Sequence, residues 1–140
     1  MISVTKNLVN FSRALADATR WRIVRLVLED ALCVCELADI LDMPQSSVSS
    51  HVQVIRRADL LESERREKWV YYRVARSFLP ILTALRKHFN LHPESVTVLA
   101  RDAKRTVKRL AEREKSCCPV PQELAFKSRK RSIVANGATA

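Results

Sequence analysis

Between Ala31 and Leu61 the chain carries two short apolar-periodic stretches separated by a four-residue break, and few folds accept that pattern. In ALCVCELADIL the residues Leu37, Ile40 and Leu41 recur at helical spacing, and from Ser46 onward Val48, Val52 and Ile55 do the same. The break, DMPQ, holds Pro44, which suits a helix start because the amide hydrogen it lacks would have no partner in the first turn. Two short helices about a tight turn form the helix-turn-helix pattern. The glycine often found in such a turn is absent.

The flanking segments supply what this pair must pack against. Residues 4–16 place Val4, Leu8, Val9, Phe11, Leu15 and Ala16 on one helical face. Asp17 is positioned to cap the next helix, where Trp21, Ile23, Val24, Leu26, Val27 and Leu28 form a broad apolar stripe that should end near Glu29 and Asp30. After Leu61, LESERREKWVYYRV passes from a charged middle to the β-favouring Trp69, Val70, Tyr71, Tyr72 and Val74, which predicts a β-hairpin wing. Its turn has neither Gly nor Asn, so a longer, looser loop around Arg66 to Lys68 is expected. Residues 76–91 return to helical periodicity, and 96–113 form a strongly basic helix. The fold class is mainly α with a small β-hairpin: a winged helix-turn-helix over residues 1–95, a basic C-terminal helix over 96–116, and a cysteine-containing, flexible tail over 117–140.

Composition narrows the chemistry. Gly137 is the single glycine in 140 residues, so no Gly-rich phosphate loop, dinucleotide fingerprint or nucleophile elbow can be written here, and the chain is not expected to be an enzyme or to carry an organic cofactor. A net charge of +10 calls for a polyanionic partner, either nucleic acid or a membrane surface. Between Arg101 and Arg131 eleven basic residues face four acidic ones, so most of that charge lies in the C-terminal third. No leader pattern and no long apolar run occurs, which places the expected protein in the cytoplasm, off the membrane, with its four cysteines reduced. Such cysteines read as metal ligands or redox sensors.

The second helix of a helix-turn-helix enters the major groove by its first turns, where short hydrogen-bonding side chains reach base edges. Gln45, Ser46, Ser47, Ser49, Ser50 and His51 answer that description. Gln pairs with adenine while Ser is permissive, so the surface would lean on phosphate contacts from Arg56 and Arg57 and from Arg65, Arg66 and Lys68 on the wing. Taken singly, a serine-rich helix start is only a well-capped solvated face and ERREK only a soluble loop. Their order, with helix, turn and hairpin together, favours double-stranded DNA.

At this point the sequence resembles the ArsR/SmtB family of arsenic- and metal-responsive repressors. The likeness runs from Phe11 to Leu91 and rests on ALADATRWRIVRLV, ALCVCELADIL, PQSSVSSHVQVIRRADLL and REKWVYYRV. It implies a homodimer assembled through the first and late helices, bound to an imperfect inverted-repeat operator and released by metal. Ala18 stands where the family often has proline, and Glu67 where the wing often has glycine.

Cys33 and Cys35 resemble the CVC of the arsenic-sensing branch, whose common third cysteine is here Ala38. A soft centre such as As(III), Sb(III) or Cd(II) prefers thiolates, and As(III) takes three. Residues i and i+2 on a regular helix point about 200° apart, so coordination by both is expected to reshape the helix start. Cys117 and Cys118 resemble a C-terminal site of other branches. Three arrangements stand open: a two-thiol CVC site suited to methylarsenite, a three-thiol site borrowing Cys117 or Cys118, or a separate CC site. The alternatives of the same fold are thiol-based redox sensing and a Cd-, Pb- or Zn-responsive repressor. A thiol oxidoreductase or metal buffer would more naturally carry CxxC in a βαβ pattern, which is missing, and an RNA- or membrane-binding module would need only one basic helix. His88 and His92, four apart with Glu94 nearby, have zinc-binding spacing but read as polar residues at a helix end.

Overall fold

The computed structural model describes residues 2–91, 96–113 and 118–124. In chain order these form α1 (Ile2–Leu15), α2 (Ala18–Glu29), β1 (Leu32–Cys33), α3 (Val34–Leu41), α4 (Gln45–Arg56), β2 (Leu61–Arg66), β3 (Trp69–Val74), α5 (Leu79–His88) and α6 (Thr97–Ala111), with one 3-10 turn at Arg76–Phe78. Asp17 caps α2 as its position predicts, Oδ2 accepting the Arg20 backbone N–H at 3.0 Å. The stripe of α2 (Ile23, Val24, Leu26, Val27, Leu28) meets Leu37, Ile40 and Leu41 of α3, Val48, Val52 and Ile55 of α4, and Tyr72 and Val74 of β3 in one core. At about 1.5–3 kcal/mol for each large aliphatic side chain fully buried, this shared core, more than helix propensity, holds the two short motif helices.

α3 and α4 are the helix-turn-helix pair. Asp42 ends α3 in the left-handed region (φ 54), where glycine is usual, and Asp59 and Asn90 adopt the same region elsewhere (φ 56 and 53). The chain thus turns tightly on short polar side chains that tolerate this conformation.

The wing differs from expectation in two respects. β2 and β3 pair antiparallel from Leu61↔Val74 to Arg66↔Trp69, leaving only Glu67 and Lys68 between them. The longer, looser loop does not form: Glu67 itself takes φ 57, and Arg65 Nε donates to its carbonyl at 3.1 Å. The hairpin also gains a third strand, β1, giving a sheet of order β1-β3-β2 with Cys33 opposite Tyr71. Two residues are too short a strand for period-two alternation to announce.

Because side chains alternate along β3, Val70, Tyr72 and Val74 face the main core while Trp69, Tyr71 and Arg73 face the other way. That second face is not open. Residues 118–124, expected in the tail, lie over it, and Cys118 and Leu124 join Ala31, Cys33 and Tyr71 in a second apolar cluster.

α6 buries Leu99, Asp102, Thr106 and Arg109 against α2 and α3 of its own chain. Arg22 reaches both Asp102 oxygens at 2.8 and 2.9 Å. At four-residue steps Arg105, Arg109 and Arg113 meet the Ile40 carbonyl (3.2 Å), Asp39 (2.8 Å) and Glu36 (2.7 Å), so α6 runs antiparallel to α3. Part of the basic run is therefore internal cross-linking. Among the described residues no helix is long and apolar enough to cross a membrane.

Candidate metal centre and nucleic-acid interface

The Sγ atoms of Cys33, Cys35 and Cys118 all lie within 4.8 Å of one another, with Cys33 and Cys118 3.8 Å apart. Cys33 is the last residue of β1 and the N-cap of α3, in extended conformation (φ −89, ψ 169). Only Cys35 belongs to the helix. The 200° divergence expected of i and i+2 on one helix therefore does not apply, and the thiols converge with α3 intact. Cys33 and Cys118 are buried and Cys35 is half-exposed, so the cluster opens to solvent at Cys35. Cys117, His92 and Glu94 lie outside the described residues. His88 is exposed and packs edge-on against Phe89.

Around the sulfurs lies a frame that the sequence reading passed over. Glu36, fully buried, accepts the Cys33 backbone N–H at 3.2 Å, while the Cys33 side chain faces the Glu36 backbone N–H, so a thiol replaces the usual hydroxyl of a capping box. Arg113 closes on the same carboxylate through two bonds of 2.7 and 2.9 Å and donates to the Ala31 carbonyl at 2.9 Å. Arg109 joins Asp39 to the Cys118 sulfur, 3.8 Å from its Nη2. Burial first, and the nearby Glu36 charge second, push the Cys33 thiol well up, so it is held as a neutral S–H. Burial likewise raises the Tyr71 hydroxyl, which donates to the Pro119 carbonyl. The spacing of Cys33 to Glu36 was a readable sign, because it is capping-box spacing with cysteine in the cap position.

On the other half of the motif, Val48, Val52 and Ile55 turn α4 onto the core and leave Gln45, Ser46, Ser49, Ser50 and Arg56 exposed. Ser47 and His51 are half-buried. His51 Nδ1 stands 3.5 Å from Arg20 Nη1 and 4.0 Å from Asp17, which ties it to the start of α2. Arg65 and Lys68 are exposed on the wing and Arg66 is half-buried. Arg56 lies over Tyr72 and Lys68 over Trp69, at 5.7 and 4.8 Å from the ring centres, which limits their wandering.

The fold and the site together define a class: a winged helix-turn-helix protein with a thiol cluster at the head of the motif's first helix. Residues 17–63 match the family described as bacterial regulatory protein, arsR family, and the chain belongs to that family. It is 43% identical over 63 residues to the arsenic resistance transcriptional regulator ArsR1 of Pseudomonas putida, covering 44% of this chain and 49% of that protein. It is 40% identical over 68 residues to the arsenical resistance operon repressor of Escherichia coli, covering 48% and 58%. To the cadmium resistance transcriptional regulatory protein CadC of Listeria innocua it is 36% identical over 69 residues, covering 49% and 58%. The chain thus spans about half the length of the curated relatives it matches, which are transcriptional regulators and not enzymes. HlyU from Vibrio cholerae has the same fold, with a TM-score of 0.56 at 24% identity over 64% of this chain and 98% of that one.

Proposed function

We propose that this chain is a cytoplasmic, homodimeric transcriptional repressor whose hold on an inverted-repeat operator is released when As(III) bonds to Cys33, Cys35 and Cys118. The observation that carries the reading is the convergence of three thiols within 4.8 Å at the head of α3. A trivalent metalloid is satisfied by three sulfurs, whereas a tetrahedral ion such as Zn(II) is left one ligand short. Arsenous acid exchanges its three hydroxyls for three thiols: three As–S bonds form, three As–O bonds break, each thiol proton leaves on water, and no electrons move. The exchange starts from uncharged arsenous acid, and its product carries no charge into the cluster. Sb(III) shares this chemistry.

Release follows from where the thiols sit. Cys33 is both a ligand and the cap of α3, so bonding its sulfur withdraws the cap from a helix that packs directly on α4. A ~100-fold loss of operator affinity needs about 2.7 kcal/mol of coupling. The arsenic-resistance relatives support the ligand, and the cadmium-resistance relative names the competitor to be tested. Exposed Val4, Leu8 and Val9 on α1, with Ile81 on α5 and Phe89 just beyond it, offer the apolar face a second copy would cover.

The test is fluorescence anisotropy on a DNA duplex selected for binding from a random pool, under strict reduction, with and without arsenite. Wild type should lose about 100-fold in affinity. The variant carrying Cys33→Ser and Cys35→Ser should bind DNA normally and stay bound. Normal release of that variant by arsenite would overturn the assignment. Release of wild type by peroxide, with none by arsenite, would establish the redox reading in its place.

A further inference from the structure

The third thiol arrives on a segment that the wing holds in place. Glu64 of β2 accepts three consecutive backbone N–H groups, from Gln122 at 2.8 Å, Glu123 at 2.7 Å and Leu124 at 3.1 Å. Arg73 of β3, fully buried, donates to the Leu124 carbonyl at 2.9 Å and lies 3.6 Å from Glu62. Tyr71 holds the Pro119 carbonyl. Burial alone would raise the Glu64 carboxyl, but the three donors together outweigh it and keep the group below the usual carboxylate range. Cys118 stands at the front of this clasped segment and its sulfur faces Cys33. Cys33 and Cys35 need no such help, since strand pairing and the α3 cap already fix them.

We propose that Glu64 and Arg73 are positioning residues that set the third thiol and thereby make the site select inorganic As(III) over a monomethylated trivalent arsenical. This rests on the metalloid reading above. Arsenous acid offers three exchangeable hydroxyls; methylarsenite offers two, because one valence is taken by carbon. Bonding methylarsenite to Cys33 and Cys35 forms two As–S bonds, breaks two As–O bonds and releases two waters. The third bond to inorganic arsenic is intramolecular, and its contribution scales with the effective concentration of Cys118 beside the other two sulfurs. On a flexible tether that concentration falls to the millimolar range, whereas a clasped thiol 3.8 Å from Cys33 is far above it.

The full-length chain and its Glu64→Ala variant, whose altered side chain lies at the surface of the wing, separate the possibilities. Each is titrated with arsenite and with methylarsenite, and the thiols protected from a chromogenic thiol reagent are counted. In wild type, arsenite should protect three thiols and methylarsenite two. In Glu64→Ala, arsenite should protect two and bind about tenfold or more weaker, while methylarsenite binding stays within about twofold. Three protected thiols with unchanged arsenite affinity in the variant would overturn the clasp, as would equal weakening of both arsenicals, the mark of a merely structural role. If arsenite fails to protect three thiols in wild type, the three-thiol reading itself falls and the clasp falls with it.

Discussion

The two helices of the motif are neighbours that share one core, yet they are built to opposite specifications. α3 begins inside the protein: its cap is a buried thiol, its first-turn acid is fully buried, and Arg109 of α6 and Arg113 just beyond it hold its acidic residues. α4 begins at the surface behind Pro44, with no side chain capping it and serines facing solvent. One helix is fastened so that a change at its head has consequences, and the other is left open so that it can touch something else. On the proposed reading, a sensor and a reader placed in adjacent helices need no long relay, because both pack on the same aliphatic core.

Three substitutions probe this contrast. The largest effect is expected from Arg113→Met, which leaves the Glu36 carboxylate buried without its main partner; side-chain exposures of 10% and 0% make this a protected pair. Urea unfolding should show a loss of about 3–5 kcal/mol, and a loss below about 1 kcal/mol would mean α3 is not fastened there. Next, Gln45→Ala should weaken operator binding by about 1–3 kcal/mol and leave the unfolding midpoint and arsenite binding where they were. Equal damage to stability would erase the distinction between the helices. The smallest effect belongs to the wing: Lys68→Ala should weaken cognate and unrelated DNA alike by a few-fold and reduce the slope of log affinity against log salt by about 0.9. A change confined to the cognate duplex would assign Lys68 to base reading instead.

The same contrast explains what could be read from the sequence. The reader helix was legible because its parts are consecutive: Pro44, the serines and the Val48, Val52, Ile55 spacing lie within a dozen residues. Asp17 and the end of α2 near Asp30 were legible for the same reason. The thiol cluster was half legible. CVC pointed to the place, but which partner completes it depends on a residue 85 positions away, and no periodicity encodes that. The helical placement of both Cys33 and Cys35 failed because β3 captures Leu32 and Cys33 as a strand, a tertiary effect. One sign was available and unused. The run Trp69, Val70, Tyr71, Tyr72 does not alternate with polar residues, which marks a strand covered on both faces and therefore something lying over the wing. The inward turn of Arg105, Arg109 and Arg113 was hidden for the opposite reason, because a charged stripe looks the same whether it meets water or buried carboxylates.

The distance in sequence between Cys33 and Cys118 also orders events in time. A ribosome finishes the reader helix and the wing well before it reaches the residue that closes the thiol triangle. On the proposed reading, a nascent or prematurely terminated chain that stops short of Cys118 can grip an operator but holds only two of the sulfurs needed to let go. Nonsense mutations between the end of α6 and Cys118 would then behave as dominant, uninducible alleles, a genetic signature quite unlike simple loss of the regulator.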